Sequence, residues 1–227
     1  MIKYQYMLKN NQTIRNTNSG NRDSLTKRRY DRWAKIFNLM DRGDDTNTRF
    51  ARWRSLLWSK AEGLQILEVG VGTGASLPYY PAGASITAVD FSVNMLKFAR
   101  EKAVKLHKTV ALEEMDVQSL EFPDNTFDGV VASLVFCSVP DPVQGLSEIL
   151  RVLKPGGKVV LLEHVISSGK VSGAMMNLLN PLVLWTSGDN INRHTVKNVA
   201  ASGLIIEKVS DLTGIFKLIE ARKRITK

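Results

Sequence analysis

The heptapeptide EVGVGTG at residues 68–74 follows directly on the apolar run Gln65-Ile66-Leu67-Glu68-Val69. A short aliphatic run of this kind reads as a buried strand. Glycines at 70, 72 and 74 then permit a tight turn whose backbone a ligand can approach closely. From here strand-like and helix-like segments alternate. Strands are predicted over 65–69, 85–89, 110–115, 127–134, 158–162, 204–209 and 216–222. Helices are predicted over 92–108, 142–153 and 195–202. Ser92 is placed to cap the first of these, whose apolar face is Met95, Leu96, Ala99, Ala103 and Leu106. Pro155-Gly156-Gly157 stops the second. Such alternation implies a parallel α/β sheet covered on both faces.

Charge divides the chain. Residues 1–60 hold 14 Lys/Arg against 5 Asp/Glu, whereas the remaining 167 residues hold 17 of each, so the whole net charge of +9 belongs to the N-terminal part. A nucleic-acid partner, which global charge alone would suggest, therefore loses its support. Residues 1–26 are polar and read as a mobile tail. Over 27–60, Tyr30, Trp33, Ala34, Phe37 and Met40, then Phe50, Trp53, Leu56 and Leu57, recur at helical spacing among basic residues. That pattern predicts a basic amphipathic helical cap broken near Gly43, ahead of a main domain at 61–227. One cysteine, Cys137, excludes an internal disulfide and a cysteine-based metal cluster, and no metal site is expected. The composition and the absence of an 18-residue apolar run point to a cytoplasmic protein, with a peripheral position at a membrane left open.

The acids at the next two strand ends narrow the ligand. Asp90 lies 20 residues past the first glycine, where a carboxylate accepts hydrogen bonds from ribose hydroxyls. Asp116 ends the third strand and is placed to accept from an adenine amino group, with Val117 flanking the ring. The pattern Gly70-x-Gly72-x-x-Ala75 also satisfies a dinucleotide fingerprint. Against that reading, Pro78 cuts short the helix that would hold a pyrophosphate, and Glu68 would repel one. A cationic sulfonium suits Glu68 better.

The combination of residues 68–74, Asp90-Phe91-Ser92, Asp116 and Pro155-Gly156-Gly157 resembles the class I S-adenosylmethionine-dependent methyltransferases. The resemblance implies a Rossmann-like, seven-stranded, mostly parallel sheet with helices on both faces and an N-terminal helical cap. It implies S-adenosyl-L-methionine as cofactor, with Glu68, Val69, Gly70, Gly72 and Gly74 around its methionine and ribose part. Asp90 would hold the ribose, Asp116 and Val117 the adenine, and Phe91 and Met95 would pack on the ring beside Ser92 and Leu134. Within the family, Leu134-Val135-Phe136-Cys137-Ser138-Val139, Glu163-His164 and residues 189–193 (DNINR) are similar to a group of three kinds of enzyme. These are quinone-biosynthesis C-methyltransferases, bacterial phosphatidylethanolamine N-methyltransferases and thiol S-methyltransferases. A phospholipid headgroup amine or an apolar thiol is the favoured acceptor, and a quinone ring carbon the alternative. A membrane-associated binding protein that keeps the fold without turnover is a reading of a different class.

Methyl transfer from a sulfonium needs mainly in-line positioning, but an ammonium or thiol acceptor must first lose a proton. His164, at the end of the fifth strand, is the base candidate, and its other reading is a structural histidine bonded to Glu163 or to backbone. The resemblance places Tyr30 over the cofactor as a second catalytic candidate. His107 and His194 are less well placed. Cys137 reads as a small buried hydrophobe. Asn190, Asn192 and Arg193 read either as substrate contacts or as a turn and helix cap. The stretch Ser133-Leu134-Val135-Phe136 lacks the Asn/Asp-Pro-Pro-aromatic motif of base-modifying enzymes. Residues 171–188 contain no charged residue and read either as a pair of core helices or as a lid or membrane-facing surface.

Overall fold

The computed structural model describes residues 27–39 and 48–225. Seven strands form one sheet in the order β3-β2-β1-β4-β5-β7-β6. They are β1 (Gln65–Val69), β2 (Ser85–Asp90), β3 (Ala111–Glu114), β4 (Phe127–Ser133), β5 (Leu153–His164), β6 (Ile205–Asp211) and β7 (Phe216–Arg222). Strands β1 to β5 pair in parallel, and β7 runs antiparallel to both β5 and β6. Six helices accompany them: α1 over 27–39, α2 (Arg49–Trp58), α3 (Val93–Lys105), α4 (Pro142–Val152), α5 (Lys170–Thr186) and α6 (Thr195–Ala201).

The central strands are apolar at consecutive positions because both faces are covered. Neighbouring residues feed opposite layers, as the two-residue period of a strand requires. Leu67, Val130, Val159 and Leu161 join the layer that includes Leu146 and Ile149 of α4. Ile66, Val131, Val160 and Leu162 join the layer with Leu57 and Trp58 of α2. Strand order reverses between β1 and β4, and the carboxyl ends flanking such a reversal form the ligand crevice of an open α/β sheet.

The sequence-based elements are found with small shifts at their ends, among them β3, which stops at Glu114 so that Asp116 lies two residues beyond it, and with three larger differences. Helix α3 is capped by Ser92, whose Oγ accepts from the Met95 amide at 3.2 Å, but it stops at Lys105. His107 then adopts φ 50°, and Leu106 lies outside the helix, partly exposed, rather than on its buried face. Strand β5 starts at Leu153, straight out of α4, rather than at Lys158. Pro155-Gly156-Gly157 lies inside that strand, where pairing shifts from Phe127–Leu153 to Gly129–Lys158 and Gly156 takes φ 77°. Residues 170–186 form a single helix through Pro181, not a pair of core helices, and bury only Gly173 and Asn180. The expected tail at 1–26 and the break near Gly43 lie outside the described residues.

Candidate active site

The glycine loop is shaped by β1 and β2. The amides of Gly70 and Val71 both donate to the Val89 carbonyl, at 2.8 and 3.1 Å, which turns the chain sharply at the carboxyl end of β1. Gly70 has φ 70°, and a Cβ there would lie 2.4 Å from Val135 Cγ2. Gly72 has φ 55°, and its missing side chain faces open space. The first glycine is thus required for packing and the second keeps the cavity side clear. The segment beyond runs into a 3-10 turn at Leu77–Tyr79 containing Pro78, as the proline predicts.

Asp90 closes β2 and ties the loop to the next helix. Its Oδ2 accepts from the Gly72 amide and its Oδ1 from the Ser92 amide, each at 2.9 Å. Burial raises its pKa to about 6, although both hydrogen bonds favour the charged form. Gly70, Gly72, Asp90, Phe91 and Met95 line one end of a cavity of about 590 Å³. Asp116, Val117 and Leu134 continue its wall. Asp116 Oδ1 accepts from the Gln118 amide at 2.8 Å, which fixes the carboxylate two residues beyond β3.

Four expected cofactor contacts lie behind this wall rather than on it: Glu68, Val69, Gly74 and Ser92. Val69 is core, Gly74 packs on Leu77 and Ala99, and Ser92 caps α3. Glu68 is buried and accepts a hydrogen bond from the Tyr80 hydroxyl. Desolvation lifts its pKa to about 7 despite that bond. A carboxyl whose folded pKa exceeds its unfolded value favours folding below the unfolded value, and the benefit is lost as pH rises through the folded one. Between about pH 4.5 and 7, ionisation of Glu68 therefore erodes stability. Glu68→Gln keeps an acceptor for Tyr80 and removes this ionisation. It is expected to raise stability at pH 8 by about 1–3 kcal/mol relative to the unsubstituted protein, with little difference at pH 5. Thermal melts at the two pH values check this.

The other end of the cavity is apolar, aromatic and weakly acidic. Tyr30 of α1 donates its hydroxyl to Asp189 Oδ1 at 2.7 Å, stacks on Phe37 and meets Phe91 edge-on. Burial, with Cys137 and Asp189 nearby, holds the tyrosine pKa well above its usual value, so it remains a phenol. His164 lines the cavity and packs edge-to-face on Phe216, with ring centroids 5.2 Å apart. Desolvation lowers its pKa below 6.5, partly opposed by Asp189. Neither ring nitrogen has a hydrogen-bond partner among the described residues, so the structural reading in which Glu163 or backbone holds the imidazole is not met. Glu163 instead accepts the Val135 and Phe136 amides at 3.0 and 3.2 Å.

Cys137 faces the cavity, 3.8 Å from Asp189 Oδ1, and burial pushes its thiol pKa up, which disfavours a thiolate nucleophile. Asn190, Asn192 and Arg193 bond to Cys137 O, Asn177 Oδ1 and Val139 O. They hold loops together and are not on the cavity wall, and neither are His107 and His194.

Two aspartates play parts that the sequence did not assign to them. Asp31 of α1 accepts from Ser92 Oγ at 2.5 Å, and its carbonyl accepts from Asn94 Nδ2 at 3.1 Å, fastening α1 across the N-terminus of α3. Asp189 joins the cavity only through the fold, opposite Tyr30. Asp90, Asp116 and Asp189 face the cavity against one guanidinium, Arg54, and this electrostatic bias suits a cationic ligand.

A methyltransferase-domain family model matches residues 67–161. The chain is 42% identical over 139 residues to a phosphatidylethanolamine N-methyltransferase of Cereibacter sphaeroides, covering 60% of this chain and 66% of that protein. It is 36% identical over 151 residues to a demethylmenaquinone methyltransferase of Renibacterium salmoninarum, covering 63% and 62%. It is 35% identical over 144 residues to a thiol S-methyltransferase of Rattus norvegicus, covering 59% and 57%. The chain therefore spans 57–66% of the length of these relatives. Among solved structures, the [4+2]-cyclase SpnF shares the fold at a TM-score of 0.72 with 20% identity, over 88% of this chain and 95% of that one. The geranyl diphosphate methyltransferase complex with GPP and sinefungin shares it at 0.62 with 16% identity, over 76% and 77%. Residues 67–161 therefore carry a methyltransferase domain, and the chain has the Rossmann-like fold of the solved structures it resembles. Its relatives include phosphatidylethanolamine, demethylmenaquinone and thiol methyltransferases.

Proposed function

We propose that this chain transfers a methyl group from S-adenosyl-L-methionine to a small or lipid-like acceptor, with a phospholipid headgroup amine or an apolar thiol ranked ahead of a quinone ring carbon. The carrying observation is one continuous cavity in which the Gly72–Asp90–Asp116 wall meets an aromatic end bearing His164 and Asp189. The residues present fit the cofactor. Gly72 leaves open space, each Asp90 oxygen keeps a lone pair for a ribose hydroxyl, and the three aspartates favour the sulfonium charge. The bound cofactor supplies an activated methyl group.

The chain's own residues hold the acceptor in line and exclude water. An ammonium or thiol acceptor first gives its proton to the neutral His164 imidazole. Phe37, Phe50 and Phe216 make the acceptor end hospitable to an amphiphile, which supports a meeting with the acceptor at a lipid surface. A screen with labelled cofactor against phosphatidylethanolamine, small thiols and demethylquinones tests the reading. Label transfer to the amine or the thiol is expected. Transfer to the quinone alone would reverse the ranking, and transfer to none would favour a non-catalytic binding protein.

A further inference from the structure

The side chains of α5 are turned the wrong way for a helix on a globular body. Val171, Met175, Leu178, Leu182 and Trp185 recur at alternating steps of four and three residues, which places them along one face. In a helix packed on a sheet that stripe would be buried. Here Leu178 is 74% exposed, Leu182 59% and Trp185 73%. The side facing the protein is mixed: Gly173 and Asn180 are buried, and Met176 and Val183 are half-buried. Asn180 Nδ2 donates to Asn190 Oδ1 at 3.4 Å, Asn177 Oδ1 accepts from Asn192 Nδ2 at 2.9 Å, and Gly173 sits against the Ser167 carbonyl. Buried Asn180 and Gly173 lie on the inner face with Met176 and Val183, and the Val171–Trp185 stripe points outward.

What covers the stripe is indicated by its surroundings. Helix α1 touches α5 through Arg29, whose Nη1 donates to the Leu184 carbonyl at 3.0 Å. It exposes Arg28, Arg32 and Lys35 together with Trp33 and Ile36. The two helices flank the same cavity, since Tyr30 and Phe37 of α1, and Asp189 and Ile191 just after α5, all line it. A partner helix is a poor match, because coiled-coil seams carry charged flanking positions and residues 171–188 contain no charge. A second copy across a two-fold axis would bring the basic helices together. No helix among the described residues is long and apolar enough to cross a membrane, and α5 has 17 residues with Pro181 inside. An uncharged apolar stripe beside a basic, aromatic helix is instead the pattern of an element lying in the interface of an anionic bilayer.

We propose that α5 and α1 form a membrane-docking face. The Val171–Trp185 stripe lies at the boundary of headgroups and acyl chains, and Arg28, Arg32 and Lys35 meet anionic phosphates. This deepens the lipid-acceptor reading by stating which face meets the bilayer, and it stands on surface observations independent of the chemistry.

Flotation of the full chain with vesicles tests it, using phosphatidylcholine alone or mixed with phosphatidylglycerol. The unsubstituted protein is expected to float with the mixed vesicles. The triple substitution Leu178→Glu, Leu182→Glu and Trp185→Glu should weaken that association by roughly tenfold or more, while leaving S-adenosylhomocysteine affinity unchanged. Arg28→Gln, Arg32→Gln and Lys35→Gln together should abolish the preference for phosphatidylglycerol. Flotation of the apolar-face variant like the unsubstituted protein would overturn the proposal, as would failure of the unsubstituted protein to float. Sedimentation showing a dimer that the apolar-face variant converts to monomer would assign the stripe to a second copy. The cofactor titration separates the two readings. Intact S-adenosylhomocysteine binding without flotation removes only the docking face, and flotation without binding removes only the methyltransferase.

Discussion

Replacing Asp90 by alanine is expected to weaken S-adenosylhomocysteine binding at least about 100-fold, because the substitution removes two things at once. The first is the acceptor pair for the ribose hydroxyls, for which hydrogen bonds to a charged carboxylate contribute about 1.5–3 kcal/mol each. The second is the internal tie. Asp90 holds the Gly72 and Ser92 amides at 2.9 Å, so its loss frees the glycine loop and the first turn of α3 together. Asp90→Asn keeps one acceptor oxygen and should fall between the two. Calorimetric titration reads this directly, and Asp90→Ala binding like the unsubstituted protein would remove the cofactor assignment. Glu68→Gln is the informative control. Glu68 lies behind the cavity wall on Tyr80, so its neutralisation should leave affinity within a few-fold of the original.

His164→Gln is expected to lower turnover with an amine or thiol acceptor by about 10²–10⁴-fold, the usual range for loss of a general base, while leaving cofactor affinity unchanged. Its environment supports that role. Burial lowers the imidazole pKa below 6.5, so the ring is neutral and able to accept a proton near pH 7. The acid limb of kcat/KM should then fall away below the ordinary imidazole range, since the protonated ring cannot act as a base. That limb should vanish in the glutamine variant. Unchanged turnover, or an unchanged acid limb, would leave His164 as a wall residue packed on Phe216.

Much of the glycine-loop end of the cavity was legible because its signals are local. Ile66/Leu67 and Val130/Val131 reveal a two-faced strand by composition alone, and Gly70, Gly72, Asp90 and Asp116 sit at fixed distances from strand ends. The differences there are also local. Glu68 falls within the motif, yet its carboxylate is buried on the Tyr80 hydroxyl rather than on the cavity wall. Pro155-Gly156-Gly157 has the chemistry of a helix stop, yet parallel pairing with β4 carries the strand through it with a register shift. The acceptor end was less legible. Ser92 and Asp31 are 61 residues apart, and Tyr30 and Asp189 are 159 apart. No periodicity links positions so distant.

By itself the sequence determined the α/β sheet, the glycine turn and the acids at the strand ends, because backbone torsion and strand periodicity are properties of neighbouring residues. Tertiary structure alone decided which carboxylates face the cavity and which way α5 is rotated. That helix is apolar on more than one side, so hydrophobicity could not choose its inner face. The inner face is the one bearing Gly173 and Asn180, and Asn180 finds its partner in Asn190 only once the chain has folded back on itself.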